Sequence, residues 1–220
     1  RPLPATILAP RPFLWEKSGR SAGGRQFQQI TTGESGSRTL VIGSVAGRDP
    51  AAIRLIDQLA RELHENSLIL GGFRADIIRT LNPDGEVNQS LTNEEHVPVY
   101  RSFPNVAPGT TPQQTLAPEV DFLLNRVRDS EPQRVIHVRS IGGSRGMIAS
   151  SSPQSHAREV ADWLDFKHSL LSQSAPKGSL EEMLITSSID REVIMFGLPS
   201  TADPETVWEQ YGDALMSLLK

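Results

Sequence analysis

The feature that most constrains this chain is an alternation of two hydrophobic periods along its length. Residues 39 to 45 are a short apolar run of strand length. Pro50 then opens a segment in which Ile53, Ile56, Leu59, Ala60 and Leu63 recur every three or four positions, the spacing of one helix face. The pattern repeats as a strand over 75–81, a helix over 118–128 and a strand over 134–139. A helix over 156–171 follows, with Val160, Trp163, Leu164 and Leu170 as its apolar positions, and then a strand over 192–197. The last helix is predicted to start with Asp203 as cap and Pro204 at its first position, burying Val207, Trp208, Tyr211, Leu215 and Leu218. Strands that alternate with helices imply an α/β fold, a three-layer α/β/α arrangement with a mixed, mostly parallel twisted sheet whose ligand sites lie at strand ends.

Within 220 residues, 37% of them hydrophobic and 22% charged, one large core is the expectation. The chain divides into a Pro-rich N-terminal arm, residues 1–17, with Pro2, Pro4, Pro10 and Pro12 opposing helix, and a single domain over 18–220. A net charge of -4 supplies no basic field for nucleic acid or anionic lipid. The absence of cysteine excludes disulfides and thiolate metal ligands. Apolar runs such as Leu68-Ile69-Leu70 are far too short to span a bilayer, so the chain reads as soluble. An opening Arg1 in place of Met is compatible with an exported product whose signal segment has been removed; compartment and oligomeric state stay open. Two stretches break the rhythm, 82–117 and the Gly/Ser-rich 140–155, and loops this long in a compact domain are usually functional or disordered.

Four separated segments carry a further signal. They are Ser18-Gly19-Arg20-Ser21-Ala22-Gly23-Gly24-Arg25; Ile42-Gly43-Ser44-Val45-Ala46-Gly47-Arg48-Asp49-Pro50; Leu81-Asn82-Pro83-Asp84-Gly85 followed by Tyr100-Arg101-Ser102-Phe103-Pro104; and the strand 135–140 with the later segment 194–199. In order and spacing they resemble the landmarks of the zinc carboxypeptidases, carboxypeptidase A-like proteins and particularly their short murein-peptide amidase-like branch. The resemblance covers residues 18 to 200. It implies a zinc-carboxypeptidase-like sheet, and a zinc held by a His and a Glu three residues apart plus a His from a later strand.

At the matching positions the chemistry is missing. Ala46 stands at the first His, Asp49 at the Glu and Arg139 at the second His, and Gly197 replaces the Glu expected to act as general base. An arginine is cationic at any working pH and repels a metal. Zinc, expected for the family, is therefore predicted to be absent, and the family's tyrosine is not evident upstream of Gly178-Ser179-Leu180. Arg101 matches the arginine that grips the substrate carboxylate. With Arg139, Arg48 and Tyr100 it forms the expected ligand-binding set, for a peptide or small carboxylate. Arg139 and Asp49 are also candidates for a buried ion pair in the space of the lost metal.

The leading expectation is a catalytically inactive, carboxypeptidase-like peptide-binding protein, a pseudoenzyme. One alternative is an active metallocarboxypeptidase or amidase with a non-standard metal site, for which His137 and His96 are the candidates. Another is a structural or scaffold subunit docking through the N-terminal arm. Gly142-Gly143-Ser144-Arg145-Gly146 fits a nucleophile elbow, but an elbow needs a helix directly after the serine, whereas 147–155 reads as loop, and no His follows His168.

Overall fold

A computed structural model describes residues 12–33, 36–66, 71–105, 115–187 and 190–219. Strands β1 (Glu16–Ser18), β2 (Phe27–Thr32) and β3 (Ser37–Ile42) come first, followed by α1 (Pro50–Glu65), β4 (Phe73–Ile78), α2 (Pro83–Asn88), a 3-10 turn (Val99–Arg101), α3 (Pro118–Ser130) and β5 (Arg134–Ser140). The remainder is β6 (Met147–Ser150), α4 (Ala157–Trp163), β7 (Lys167–Leu170), α5 (Leu171–Ser174), α6 (Leu180–Ser187), β8 (Glu192–Leu198) and α7 (Val207–Ser217). These strands form one sheet in the order β1-β2-β4-β3-β5-β8-β6-β7. Its centre, β4-β3-β5-β8, is parallel, whereas β1 and β2 add antiparallel pairs at one side and β6 runs antiparallel to β8 at the other.

Period-2 alternation along the central strands builds two apolar layers. Val41, Ile136, Val138, Ile194 and Phe196 face α1, α4 and α7, with Leu55, Leu59, Val160 and Leu215 in the same cluster. Leu40, Ile42, Val135, Val193 and Met195 face the other way, onto Val120, Leu123, Leu180 and Leu184 of α3 and α6. The second face matters for function, because His137 and Arg139 follow Val135 at two-residue steps and so share it.

Several expectations need correction. The helix expected over 156–171 stops at Trp163; Asp165 has φ 52°, a conformation that breaks a helix, and 167–170 is a strand. Trp163, one of the apolar positions assigned to that helix, is 60% exposed. The last helix begins at Val207 rather than Pro204, because Asp203 closes a local turn by accepting from Glu205 N at 3.0 Å. The stretch 82–117 contains α2 and the 3-10 turn, and 147–150, expected as loop, is β6. Of the N-terminal arm, residues 1–11 lie outside the described residues, as does Leu68-Ile69-Leu70. Phe13 and Trp15 pack on the α1/α7 layer, and Glu16 and Lys17 belong to β1. Among the described residues, no helix is long and apolar enough to cross a membrane.

Candidate functional site

The first and third sequence segments meet through one carboxylate. Asp84, fully buried, accepts from Ser21 Oγ at 2.7 Å, Gly23 N at 2.8 Å, Arg25 Nη1 at 2.9 Å and Glu94 N at 3.4 Å. Burial alone would push its pKa up, but these donors outweigh it and hold the group below the usual carboxylate range. Glu119, also fully buried, extends the network by accepting from Ala22 N at 2.9 Å and Asn93 Nδ2 at 3.0 Å. Asn82 caps α2 by accepting from Gly85 N at 2.8 Å. Gly85 admits no larger residue, since an added Cβ would stand 2.6 Å from Ser90 O.

Beside this scaffold, the C-terminal ends of β3, β5 and β8 bring the replaced positions together. Asp49 caps α1, accepting from Ala52 N at 3.3 Å, and reaches across to β5, where it accepts from Ser140 N at 2.8 Å and Ser140 Oγ at 2.6 Å. The expected Asp49–Arg139 ion pair is therefore not formed, because backbone and hydroxyl donors already satisfy both carboxylate oxygens. Arg139 turns to α6 instead, with its Nε 3.4 Å from Glu181 Oε1, close enough for charge attraction but without a hydrogen bond. His137, two residues earlier on the same face, donates from Nδ1 to the same oxygen at 2.9 Å. His137 and Glu181 are only 1% and 2% exposed. Burial would raise the Glu181 pKa; the charge and hydrogen bond of His137, and then the charge of Arg139, bring it down to about 2.

Gly197 pairs in register with Arg139. A Cβ at this position would lie 2.9 Å from the Met147 carbonyl oxygen and 3.0 Å from Ile141 Cγ2. Any side chain at this position would therefore crowd the β6 backbone at its Cβ. The donor set does not fit a zinc of the expected kind: Ala46 has no ligand atom, Asp49 is committed to Ser140 and the cap, and Arg139 is a cation. The fallback pair is not assembled either. His137 spends Nδ1 on Glu181, and His96 is an exposed turn residue with φ 61°, its N–H donated to Asn93 O. Among the described residues, no group of three His, Asp or Glu side chains is placed to hold a metal ion.

Of the expected ligand-binding residues, Arg139 is partly buried with a side chain 28% exposed, Arg48 is exposed beside Asp49, and Arg101 is exposed in the 3-10 turn. The Arg101 guanidinium carbon lies 5.3 Å from the centroid of the Tyr100 ring, which packs at the edge of the α3/α6 layer. Gly178 links this turn to the Arg139 cluster: Phe103 N donates to Gly178 O at 3.1 Å, and α6, carrying Glu181, begins two residues later. Glu181 and Ser140 were not singled out from sequence. Glu181 pairs with a residue 44 positions away, a contact without local periodicity to announce it. The nucleophile elbow is absent as expected; Ser144 is exposed in a bend, and β6 follows it.

The order of strands, the two helix layers and the site at the ends of β3, β5 and β8 define the α/β fold of the zinc carboxypeptidases. Comparison with solved structures agrees. Murein-tripeptide amidase from Escherichia coli O157 matches at TM-score 0.71 and 16% identity, over 94% of this chain and 92% of that one. Bovine thrombin-activatable fibrinolysis inhibitor, solved with a tick carboxypeptidase inhibitor, matches at TM-score 0.72 and 14% identity, over 93% and 88%. A metallo-carboxypeptidase from Burkholderia cenocepacia matches at TM-score 0.65 and 15% identity, over 92% and 64%. No protein-family model and no curated protein matches the chain.

Proposed function

We propose that this chain is a carboxypeptidase-fold protein that does not hydrolyse peptides by the zinc mechanism and instead binds the carboxylate of a peptide or small acid. The observation that carries this reading is the orientation of Arg139. Its Nε lies 3.4 Å from the carboxylate of the buried Glu181, and the side chain stays 28% exposed, so part of the guanidinium remains open to an anion. Arg101, stacked on Tyr100 in the turn joined to α6 through Gly178, and Arg48, next to Asp49, add positive charge at the same end of the sheet. The bovine fold neighbour bound to a carboxypeptidase inhibitor agrees with a protein or peptide ligand.

The test is calorimetric titration of the full chain with a short peptide bearing a free C-terminal carboxylate, and with the same peptide amidated. The free acid is expected to bind at least tenfold more tightly, and Arg139→Met to erase the difference. Equal affinities for acid and amide, or chelator-sensitive release of the C-terminal residue, overturn the reading.

A further inference from the structure

At the opposite end of the sheet, where β5 and β8 begin and β6 ends, lies a cleft of about 810 Å³. Hydroxyl and amide side chains, including Ser152, Gln154, Ser172 and Thr186, make up half of its lining, and Arg134, His156 and Glu192 stand in the same wall. Its size falls within the roughly 300–1,000 Å³ of ordinary small-molecule sites. Arg191 belongs to the same wall. Its Nε donates to Pro132 O at 3.1 Å, but Nη1, shielded from solvent, has no hydrogen-bond partner.

Several other part-buried arginines have carboxylates: Arg79 meets Asp57 and Glu86, Arg134 meets Glu192, and Arg139 meets Glu181. Among the described residues no carboxylate pairs with Arg191, and burial lowers its pKa with nothing to raise it. Its neighbour Glu192 is committed to Arg134 Nε at 2.5 Å and Ser155 Oγ at 2.6 Å. Asp190, exposed, also lines the cleft. The guanidinium is partly buried and no carboxylate among the described residues neutralises it, so an oxyanion in the cleft that Arg191 lines meets an uncompensated cation and gains charge-assisted hydrogen bonds.

We propose that this cleft is a second ligand site, for an anionic small molecule whose oxyanion is received by the Arg191 guanidinium and whose polar remainder lies along the hydroxyl-rich wall. The site is independent of the one at Arg139. Asp190 tunes it, since a carboxylate in the same wall repels the ligand's charge.

Calorimetric titration with inorganic phosphate and, separately, with acetate, both at fixed ionic strength in chloride, tests this. The expected result is saturable one-site binding of at least one of these anions, weakened at least tenfold in Arg191→Met, tightened in Asp190→Asn and unchanged in Arg139→Met. The preferred anion distinguishes a phosphoryl from a carboxylate ligand. Absence of saturable binding to the wild-type chain, wild-type affinity in Arg191→Met, or loss of binding in Arg139→Met overturns the proposal. If Arg191→Met does not fold, Asp190→Asn decides: tighter binding supports the site, and unchanged or weaker binding refutes it.

Discussion

Two polar clusters adjoin at the strand ends of this protein, and they have fared differently. In the cluster around Asp84, Ser21, Arg25 and Asn82 carry the residue types of the motifs they resemble; Ser21, Gly23 and Arg25 donate to the Asp84 carboxylate, and Asn82 caps α2. In the neighbouring cluster, Ala46, Asp49, Arg139 and Gly197 all depart from the motif, and three of the four have new local roles: Asp49 binds Ser140, Arg139 faces Glu181, and Gly197 makes room for the Met147 carbonyl. The contrast shows which parts of a family signature belong to scaffold and which to chemistry. A buried carboxylate that four donors depend on cannot change without leaving them unmet, whereas a side chain that serves only as a metal ligand leaves no protein donor unmet when it changes.

The largest expected effect lies in the retained cluster. Asp84→Ala removes the acceptor shared by Ser21, Gly23 and Arg25, and is expected to lower unfolding stability by about 3–5 kcal/mol in a denaturant titration. A loss under about 1 kcal/mol would break the comparison, since the retained motif would then not be structural.

Next comes acid stability. Glu181 has a folded pKa depressed to about 2, so its contribution is fully present above the ordinary glutamate range and is lost as pH falls from about 4.5 toward 2. In Glu181→Gln the unfolding free energy should start lower at neutral pH and fall less steeply across that interval. Parallel pH profiles for the two proteins would show that Glu181 is not held by His137 and Arg139.

A smaller effect concerns Gly197. Gly197→Ala forces its Cβ against the Met147 carbonyl, and overpacking of this kind costs about 1–3 kcal/mol. The protein carrying Ala46→His, Asp49→Glu, Arg139→His and Gly197→Glu together should accordingly be destabilised and gain no peptidase activity with added zinc. Recovery of activity would show that these four side chains alone separate this chain from a working peptidase, and that the crowding at Gly197 does not bar the chemistry.

Much of this architecture was legible from sequence. The strands β3, β4, β5 and β8 and the helices α1, α3 and α7 follow from apolar periodicity, and Pro at the first position marks the start of α1 and α3. The edges were not. Strands β1, β6 and β7 are only three or four residues long, and β2, though six, is mostly polar, so their places in the sheet rest on pairing rather than on their own pattern. At the site, the motif spacing placed Ala46, Asp49, Arg139 and Gly197 at one end of the sheet, and the two-residue step from His137 to Arg139 put both on one face.

By itself, then, the sequence determined the layered α/β frame, because side-chain period is a local property, and the motif resemblance singled out Ala46, Asp49, Arg139 and Gly197. Only the tertiary structure decided what those residues touch. It gave Asp49 to Ser140 rather than to Arg139, set Glu181 beneath His137 and Arg139, and laid the β6 backbone against Gly197. Each of these choices depends on how α6 and β6 pack onto β5 and β8, and the distance between residues 44 or 91 positions apart is fixed by packing, not by the residues between them.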